Sequence, residues 1–362
     1  MITNLDPASI LIAADIHSVE GKSRLGEVLS LVKDDGNAVM PRVAVFGGDS
    51  AGITGGNITP EQRAKYWLPH YRVTDLAGEA RDVLGKDLKC LFTYGSHDKN
   101  EAGGYDNFFS GPACFDGFYI YGISFAQMSF DDRSQLLAAN RPMPVRPAAH
   151  DVSGSSEKAS ASVLMHDNSD KHGSSDAGRR SMPPHIHGDY DGSDLDDPYG
   201  CCAAEAVPRF LEWTDSLNDS FPLFVISHVP AHVHRGDNRG AARWADALNR
   251  AAEKRSVFLF FAHNHTTERS TGYDRDFYLV RPGSVLQVQG TQIDDHINTK
   301  ISFTYMNAGY LVNGCCTLIT LSDRDGDGAY DEAVCARYAV SENERQFGST
   351  GTDSPYVCRL RT

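Results

Sequence analysis

Carboxylate and imidazole side chains follow five apolar, strand-like segments of the chain. In chain order they are Asp15 and His17, Asp49, His97 and Asp98, His228, and His263 with His265. In open parallel sheets, ligands bind beyond the carboxyl ends of the strands, so we expect these residues to converge on one rim. Two aspartates with several histidines form a hard-to-borderline metal site. Residues i and i+2 of an extended segment point the same way, which lets Asp15 and His17 hold one ion.

The order of these motifs resembles that of the calcineurin-like metallophosphoesterase superfamily, whose pattern is DxH, GD, GNH[DE], a lone His and GHxH. The matching segments are Asp15-Ile16-His17, Gly48-Asp49, Gly95-Ser96-His97-Asp98, His228 and Ala262-His263-Asn264-His265. The resemblance covers residues 10–265. It implies an α/β fold with mixed sheets, arranged as a four-layer α/β/β/α sandwich.

The resemblance also implies a dinuclear centre of two divalent or trivalent ions, with Mn, Fe or Zn as the expected metals. It assigns Asp15, His17 and His265 to the first ion, Asp49 to both ions, and Ser96, His228 and His263 to the second. The implied activity is hydrolysis of a phosphoric ester, by a phosphatase or a phosphodiesterase.

The expected reaction follows from these parts. Two metal ions about 3.5–4 Å apart bridge a water and lower its pKa, and the resulting hydroxide attacks phosphorus. The ions also neutralise the phosphoryl oxygens. His97 is the candidate general acid for the leaving oxygen, with Asp98 orienting it. His232, close after the lone His228, is a candidate substrate-binding residue.

Three positions depart from the family pattern. Ser96 replaces the family's Asn, Ala262 replaces the Gly before the HxH pair, and Gly52 stands where an acid or Asn is common. A hydroxyl on a shorter arm is a poorer neutral ligand than an amide oxygen. An alternative is therefore a catalytically impaired protein that binds metal or phosphate.

Two further motifs have alternative interpretations. Gly48-Asp49-Ser50-Ala51-Gly52 fits the G-x-S-x-G nucleophile elbow of a serine esterase. However, Ile53-Thr54-Gly55-Gly56-Asn57 is a poor helix start, and the chain has no HGG motif. Asp323, Asp325 and Asp327 resemble part of a calcium loop, but Val334 occupies its twelfth position, which favours a polar hairpin turn.

The elements that must position these residues alternate between strands and helices. Apolar runs at Ile10–Ala14, Val43–Phe46 and Leu88–Tyr94 predict strands. Leu25, Val28, Leu29 and Val32 repeat at helical spacing, as do Trp244, Ala245, Leu248 and Ala252. Strand-like runs dominate after Phe277. The pattern predicts βαβ units with parallel strands and an antiparallel addition at the end.

The domain prediction is a single metallophosphoesterase domain over residues 1–340 and a C-terminal tail over 341–362. Residues 151–200 interrupt the alternation with ten serines, six glycines and ten acids against four bases. Such a composition buries too little apolar surface to fold by itself. We interpret it as a low-complexity insertion.

Composition narrows the expected binding partners and the expected cellular location of the protein. The chain has 362 residues and a net charge of −14. This charge argues against duplex nucleic acid and an anionic membrane, because both favour Lys/Arg patches. A small phosphoester remains the expected substrate, since bound metal reverses the charge locally. Eight cysteines without a disulfide-like spacing and a start without a basic leader predict a cytoplasmic protein, or a secreted one if a leader has been removed.

Overall fold

The computed structural model describes residues 5–17, 24–50, 73–93, 95, 109, 111–123, 200–232, 240–263, 279–290, 295–340 and 355–361. Its helices are α1 Leu25–Asp34, α2 Val73–Leu84, α3 Gly200–Ser216 and α4 Ala241–Ala251, with a 3₁₀ turn at Leu311–Asn313. Its first seven strands are β1 Ala8–Ala13, β2 Val43–Phe46, β3 Lys89–Phe92, β4 Gly111–Phe115, β5 Phe118–Ile123, β6 Leu223–Ser227 and β7 Val257–Phe261. The others are β8 Leu279–Val280, β9 Val285–Gln289, β10 His296–Lys300, β11 Thr304–Asn307, β12 Cys315–Ser322, β13 Glu332–Ala339 and β14 Tyr356–Arg359.

The first sheet has six strands in the order β14-β13-β12-β1-β2-β3. Strands β1, β2 and β3 run parallel to one another. On the other side of β1, strands β12, β13 and β14 follow, each antiparallel to the strand before it. Strand β1 is buried at all six positions. That burial explains its apolar run from Ile10 to Ala13, which is typical of a central strand covered on both faces.

The second sheet has the order β4-β5-β6-β7-β11-β8. Its central strands β5, β6, β7 and β11 are parallel, and antiparallel β4 and β8 form its edges. Strands β9 and β10 make a separate antiparallel pair. The predicted class, α/β with mixed sheets, is therefore confirmed.

The two six-stranded sheets share an apolar core. Inward residues of the first sheet, such as Ile10 and Val45, belong to the same buried cluster as Ile226 and Phe260 of the second. The five strand ends were expected on the rim of one open sheet, but β1, β2 and β3 lie in one sheet and β6 and β7 in the other. Alternating apolar segments fit either arrangement, so the division between sheets is not visible in the pattern.

Helices pack against both sheets. Helices α1 and α2 share a buried cluster with residues of the first sheet, including Leu11 and Phe46. The predicted helical positions Leu25, Val28, Leu29 and Val32 are all buried there. Helices α3 and α4 share a cluster with residues of the second sheet, through side chains such as Phe210, Trp244 and Leu248.

The predicted C-terminal tail needs a correction. Residues Tyr356–Arg359 form β14, which pairs with β13 from Glu332↔Arg359 to Cys335↔Tyr356. Tyr356 and Leu360 belong to the core between the sheets. This part of residues 341–362 is thus an edge strand. The predicted insertion at 151–200 lies outside the described residues except for Gly200, the first residue of α3.

Within the described ranges, no helix is both long and apolar enough to cross a membrane.

Candidate metal centre

Five of the predicted metal ligands lie at the carboxyl ends of strands from both sheets. Asp15 and His17 follow β1, Asp49 follows β2, His228 follows β6 directly, and His263 follows β7. The side chains are buried: both aspartates are 0% exposed and His263, the most accessible of the five, is 9% exposed. Burying two carboxylates is costly unless cationic groups or metal ions compensate their charge.

The backbone at this site adopts an uncommon conformation. Asp15, His17, Asp49 and His263 have φ angles of 51°, 42°, 52° and 77°, and they are the non-glycine residues with positive φ among those described. This left-handed region is strained for residues with a Cβ and persists where the surrounding structure enforces it. The strain is thus concentrated at four of the predicted ligands.

The donor atoms form two groups that share one residue. Asp15, His17 and Asp49 can offer three ligand atoms within 4.8 Å of one another, and so can Asp49, His228 and His263. In the first group, His17 Nε2 lies 3.6 Å from Asp15 Oδ1 and 3.5 Å from Asp49 Oδ2. The shared position of Asp49 suits a carboxylate that bridges two ions.

The second group is set by the orientation of His228. Its Nδ1 lies 2.9 Å from the carbonyl oxygen of Gly47, so Nδ1 donates and Nε2 faces the cluster. Nε2 lies 3.1 Å from Asp49 Oδ2 and 3.2 Å from His263 Nδ1. Such a second-sphere bond fixes the tautomer of a metal-binding histidine.

The electrostatics of His228 reflect its carboxylate neighbours. Burial lowers the pKa of His228, but Asp49 and Asp15, together with the hydrogen bonds to Asp49 and Gly47, raise it to about 10. The site therefore stabilises positive charge at His228 Nε2. A metal ion and a proton compete for that lone pair, so the same environment favours a bound cation.

Two glycines leave room for the ligands. Gly48 has φ +92°, and a Cβ there would lie 2.7 Å from His228 Nδ1. A Cβ on Gly95 would collide with the backbone nitrogen and the carboxylate of Asp49. Only glycine fits at these positions, because the ends of β2 and β3 approach each other and His228 so closely.

The backbone around Asp15 forms hydrogen bonds with a part of the chain that is distant in sequence. Ala14 donates its N–H to Gly309 O at 3.0 Å, and its own carbonyl accepts from Leu311 at 2.8 Å. Val312 donates to Asp15 O at 2.9 Å. The His263 N–H donates to Asp15 Oδ2 at 3.1 Å. The Asn307-Ala308-Gly309 turn is visible in the sequence, but its partners around Asp15 are not.

His232, the predicted substrate-binding residue, lies outside the two donor groups. It is 0% exposed, and its Nδ1 lies 2.7 Å from the hydroxyl of Tyr305. That hydroxyl also accepts the Ala231 N–H at 2.9 Å, so Tyr305 ties the His232 ring to the backbone before it. A substrate role for His232 stays a prediction.

The other predicted site residues, Ser96, His97, Asp98 and His265, lie outside the described residues. Ser50, the nucleophile of the alternative serine-esterase hypothesis, lies within the described residues and is 2% exposed. A nucleophile elbow places the strained turn residue at the serine. Here the positive φ belongs to Asp49 instead, which favours the metal interpretation.

The acidic segment 323–331 connects β12 to antiparallel β13, as the predicted hairpin turn requires. Asp323 Oδ1 accepts the Gly326 N–H at 2.7 Å, and its Oδ2 accepts those of Leu5 and Gly328 at 3.0 Å. These backbone hydrogen bonds, that of Leu5 foremost, lower the pKa of Asp323. The carboxylates of Asp323, Asp325 and Asp327 lie close enough to share a cation, but the hydrogen bonds already explain the turn.

No known protein-family model matches this chain, and no curated protein matches it either. The fold and site by themselves define an α/β protein with two mixed sheets and a buried cluster of aspartate and histidine between their strand ends.

Proposed function

We propose that the protein is a metal-dependent phosphoric ester hydrolase of the calcineurin-like metallophosphoesterase type. The observation that carries this proposal is the pair of donor groups that share Asp49. The fold is compatible with it, because helices, first sheet, second sheet and helices follow one another through three apolar clusters. The proposed architecture is accordingly the four-layer α/β/β/α sandwich.

The donor set fits two divalent or trivalent ions such as Mn, Fe or Zn. Carboxylate oxygens with imidazole nitrogens suit borderline metals, and no described donor at the site is a thiolate. Asp15, His17 and Asp49 would hold one ion, and Asp49, His228 and His263 the other. When bound, such ions activate water and polarise the phosphoryl group of an ester.

The residues around the donors have separate tasks. Gly47 O holds the His228 ring in the tautomer that directs Nε2 to the site. The His263 N–H holds Asp15 Oδ2, which leaves Asp15 Oδ1 directed towards His17. Burial of all five side chains excludes bulk water and strengthens their interaction with a cation. His97 is the proposed proton donor to the leaving oxygen, with Asp98 as its partner and Ser96 as a further ligand.

The proposed substrate is a small phosphoester. The chain carries 48 acids against 34 bases, so it offers no excess of cations to a polyanion such as duplex nucleic acid. Two metal ions at the site would give a small anionic ester a local positive potential.

The test combines metal analysis with a substrate panel. Purified wild type, Asp49→Ala and the exposed-helix control Asp246→Asn are loaded with Mn²⁺ and assayed with p-nitrophenyl phosphate, its bis-ester and nucleotides. We expect bound metal and turnover in wild type and the control, and neither in Asp49→Ala. Bound metal without turnover of any ester would favour the impaired binding protein.

An activity that resists EDTA and disappears in Ser50→Ala would favour the esterase. A wild-type chain that binds no metal and shows no metal-dependent activity would refute the proposal.

A further inference from the structure

Arg337 lies inside the protein at the boundary between the two sheets. It belongs to β13 and is 6% exposed. The neighbouring residues on the same side of the strand, Cys335 and Ala339, are also buried. A guanidinium carries five N–H donors and is costly to bury unless those donors are used. Its position among small apolar residues therefore calls for a specific set of acceptors.

The acceptors of Arg337 come from both sheets. Nη2 donates to Asn307 O at 3.0 Å and to Asn307 Oδ1 at 2.9 Å, at the end of β11 in the second sheet. Nη1 donates to Thr317 Oγ1 at 2.9 Å, on β12 in the first sheet. Arg337 thus joins the carboxyl end of β11 to the sheet that carries Asp15.

Asn307 transmits this contact to the following turn. Its Oδ1 also accepts the Gly309 N–H at 2.7 Å, and its amide contacts the hydroxyl of Tyr310. Gly309 has φ +96°, and a Cβ there would lie 2.6 Å from Arg337 Nη1. The guanidinium therefore packs directly against the turn whose carbonyl, Gly309 O, accepts the N–H of Ala14.

We propose that Arg337 is a positioning residue for Asp15. Its hydrogen bonds fix the segment 307–312. That segment hydrogen-bonds to the backbone of Ala14 and Asp15 and so keeps Asp15 in its left-handed conformation. The inference rests on the proposed function, because Asp15 is a ligand of the first ion. It extends the site to a residue of β13 that touches neither a metal ion nor a substrate.

A matched control is available in Arg255. It is also buried, at 1% exposure, and it donates to Asp219 O at 3.1 Å and to Phe221 O and Asp219 Oδ1 at 3.3 Å. It precedes β7, at the end of the second sheet that is opposite to the ligands. Loss of either arginine should destabilise the fold, but only loss of Arg337 should disturb Asp15.

The experiment compares Arg337→Met, Arg337→Lys and Arg255→Met with wild type at a temperature at which all are folded. Each protein is titrated with Mn²⁺, and the free Mn²⁺ is measured by electron paramagnetic resonance. Outer-sphere partners typically change metal affinity by about 10–100-fold, so we expect a loss in that range for Arg337→Met. We expect a smaller loss for Arg337→Lys, and a change below about twofold for Arg255→Met.

Amide hydrogen exchange supplies a readout that needs no metal. In Arg337→Met, the amides of Ala14, Val312 and His263 should exchange at least about tenfold faster than in wild type, as expected for local opening. In Arg255→Met these amides should follow the change in global stability alone. Where Arg337→Met does not fold, Arg337→Lys provides the same comparison.

Wild-type Mn²⁺ affinity and wild-type exchange in folded Arg337→Met would overturn the inference, and so would an equal loss of affinity in Arg255→Met. If the wild type binds no Mn²⁺, the proposed function fails, and the exchange of Ala14 and Val312 still decides whether Arg337 positions Asp15.

Discussion

His228 Nε2 lies 3.1 Å from Asp49 Oδ2, which links the strand end of β6 in the second sheet to that of β2 in the first. The same carboxylate oxygen lies 3.5 Å from His17 Nε2. Asp49 is thus the residue at which both donor groups and both sheets meet. Removing its charge should affect the two proposed ions together.

Asp49→Asn should remove most of the bound metal. The shared carboxylate is a direct ligand, so the loss in affinity should exceed the roughly 10–100-fold that outer-sphere changes cause. Metal content per folded chain, measured by mass spectrometry after dialysis against Mn²⁺, checks this. Asp246→Asn, an exposed change on α4, should leave the content unchanged. Full metal content in Asp49→Asn would contradict the bridging role.

Gly95→Ala should disrupt the same residue through sterics. The added Cβ would collide with Asp49, so the variant should lose metal binding and free energy of unfolding. Gly78→Ala is the matched control, because it lies within α2 with open space around it. That change should stabilise the helix by about 0.5–1 kcal/mol. Urea unfolding measures the change in stability, and Mn²⁺ titration measures the change in metal affinity. Wild-type metal affinity in Gly95→Ala would contradict the close approach of Gly95 to Asp49.

The predictable part of this molecule is local. Asp15 and His228 directly follow apolar runs whose composition favours a strand, and Asp49 follows such a run after two glycines. Their types and places are therefore readable from the sequence. The side-chain alternation of β13 offers a weaker signal for Arg337, which occupies an inward position between Cys335 and Ala339.

The unpredicted part depends on contacts between distant segments. The pairing of β1 with β12, and of β13 with β14, joins residues that no local pattern relates. The left-handed φ of Asp15 depends in part on hydrogen bonds from Leu311 and Val312. A carboxylate after a strand could equally have had an ordinary extended backbone, because the residues that enforce the strain are about 300 positions away.

The Tyr119–Asp219 contact should make the free energy of unfolding fall at alkaline pH. Burial, together with the hydrogen bond to Asp219 and its charge, raises the pKa of Tyr119 to about 12. The unfolded chain ionises this group near its ordinary pKa of about 10. Its contribution to stability is therefore complete below about pH 10 and is lost as the pH rises towards 12.

Tyr119→Phe should remove this part of the pH dependence. Between pH 10 and 12 the wild-type free energy of unfolding should fall more steeply than that of the variant, by up to about 1.4 kcal/mol per pH unit. Urea unfolding at pH 8, 10 and 11 measures the difference. Parallel curves for the two proteins would contradict a raised pKa at Tyr119.

Truncation should show that β14 belongs to the fold. A chain that ends at Leu360 loses the contacts of Arg361 with Ala252 O and Glu253 O, at 2.6 and 2.7 Å, and we expect a loss of about 1 kcal/mol. A chain that ends at residue 354 also loses buried Tyr356 and Leu360, each contributing about 1.5–3 kcal/mol. If the two truncated chains have the same Tm, β14 does not contribute to the stability of the fold.

Metal removal should lower the stability of the wild type. Asp15 and Asp49 are fully buried, so a bound cation that compensates their charge stabilises the folded state alone. At about 100 times its Kd, a ligand contributes about 2.7 kcal/mol, which corresponds to a rise in Tm of about 4 °C for a domain of this size. Calorimetry with Mn²⁺ or EDTA measures the shift, and Asp49→Asn should show almost none. An equal rise in that variant would assign the stabilisation to another cation site, such as the Asp323, Asp325 and Asp327 turn.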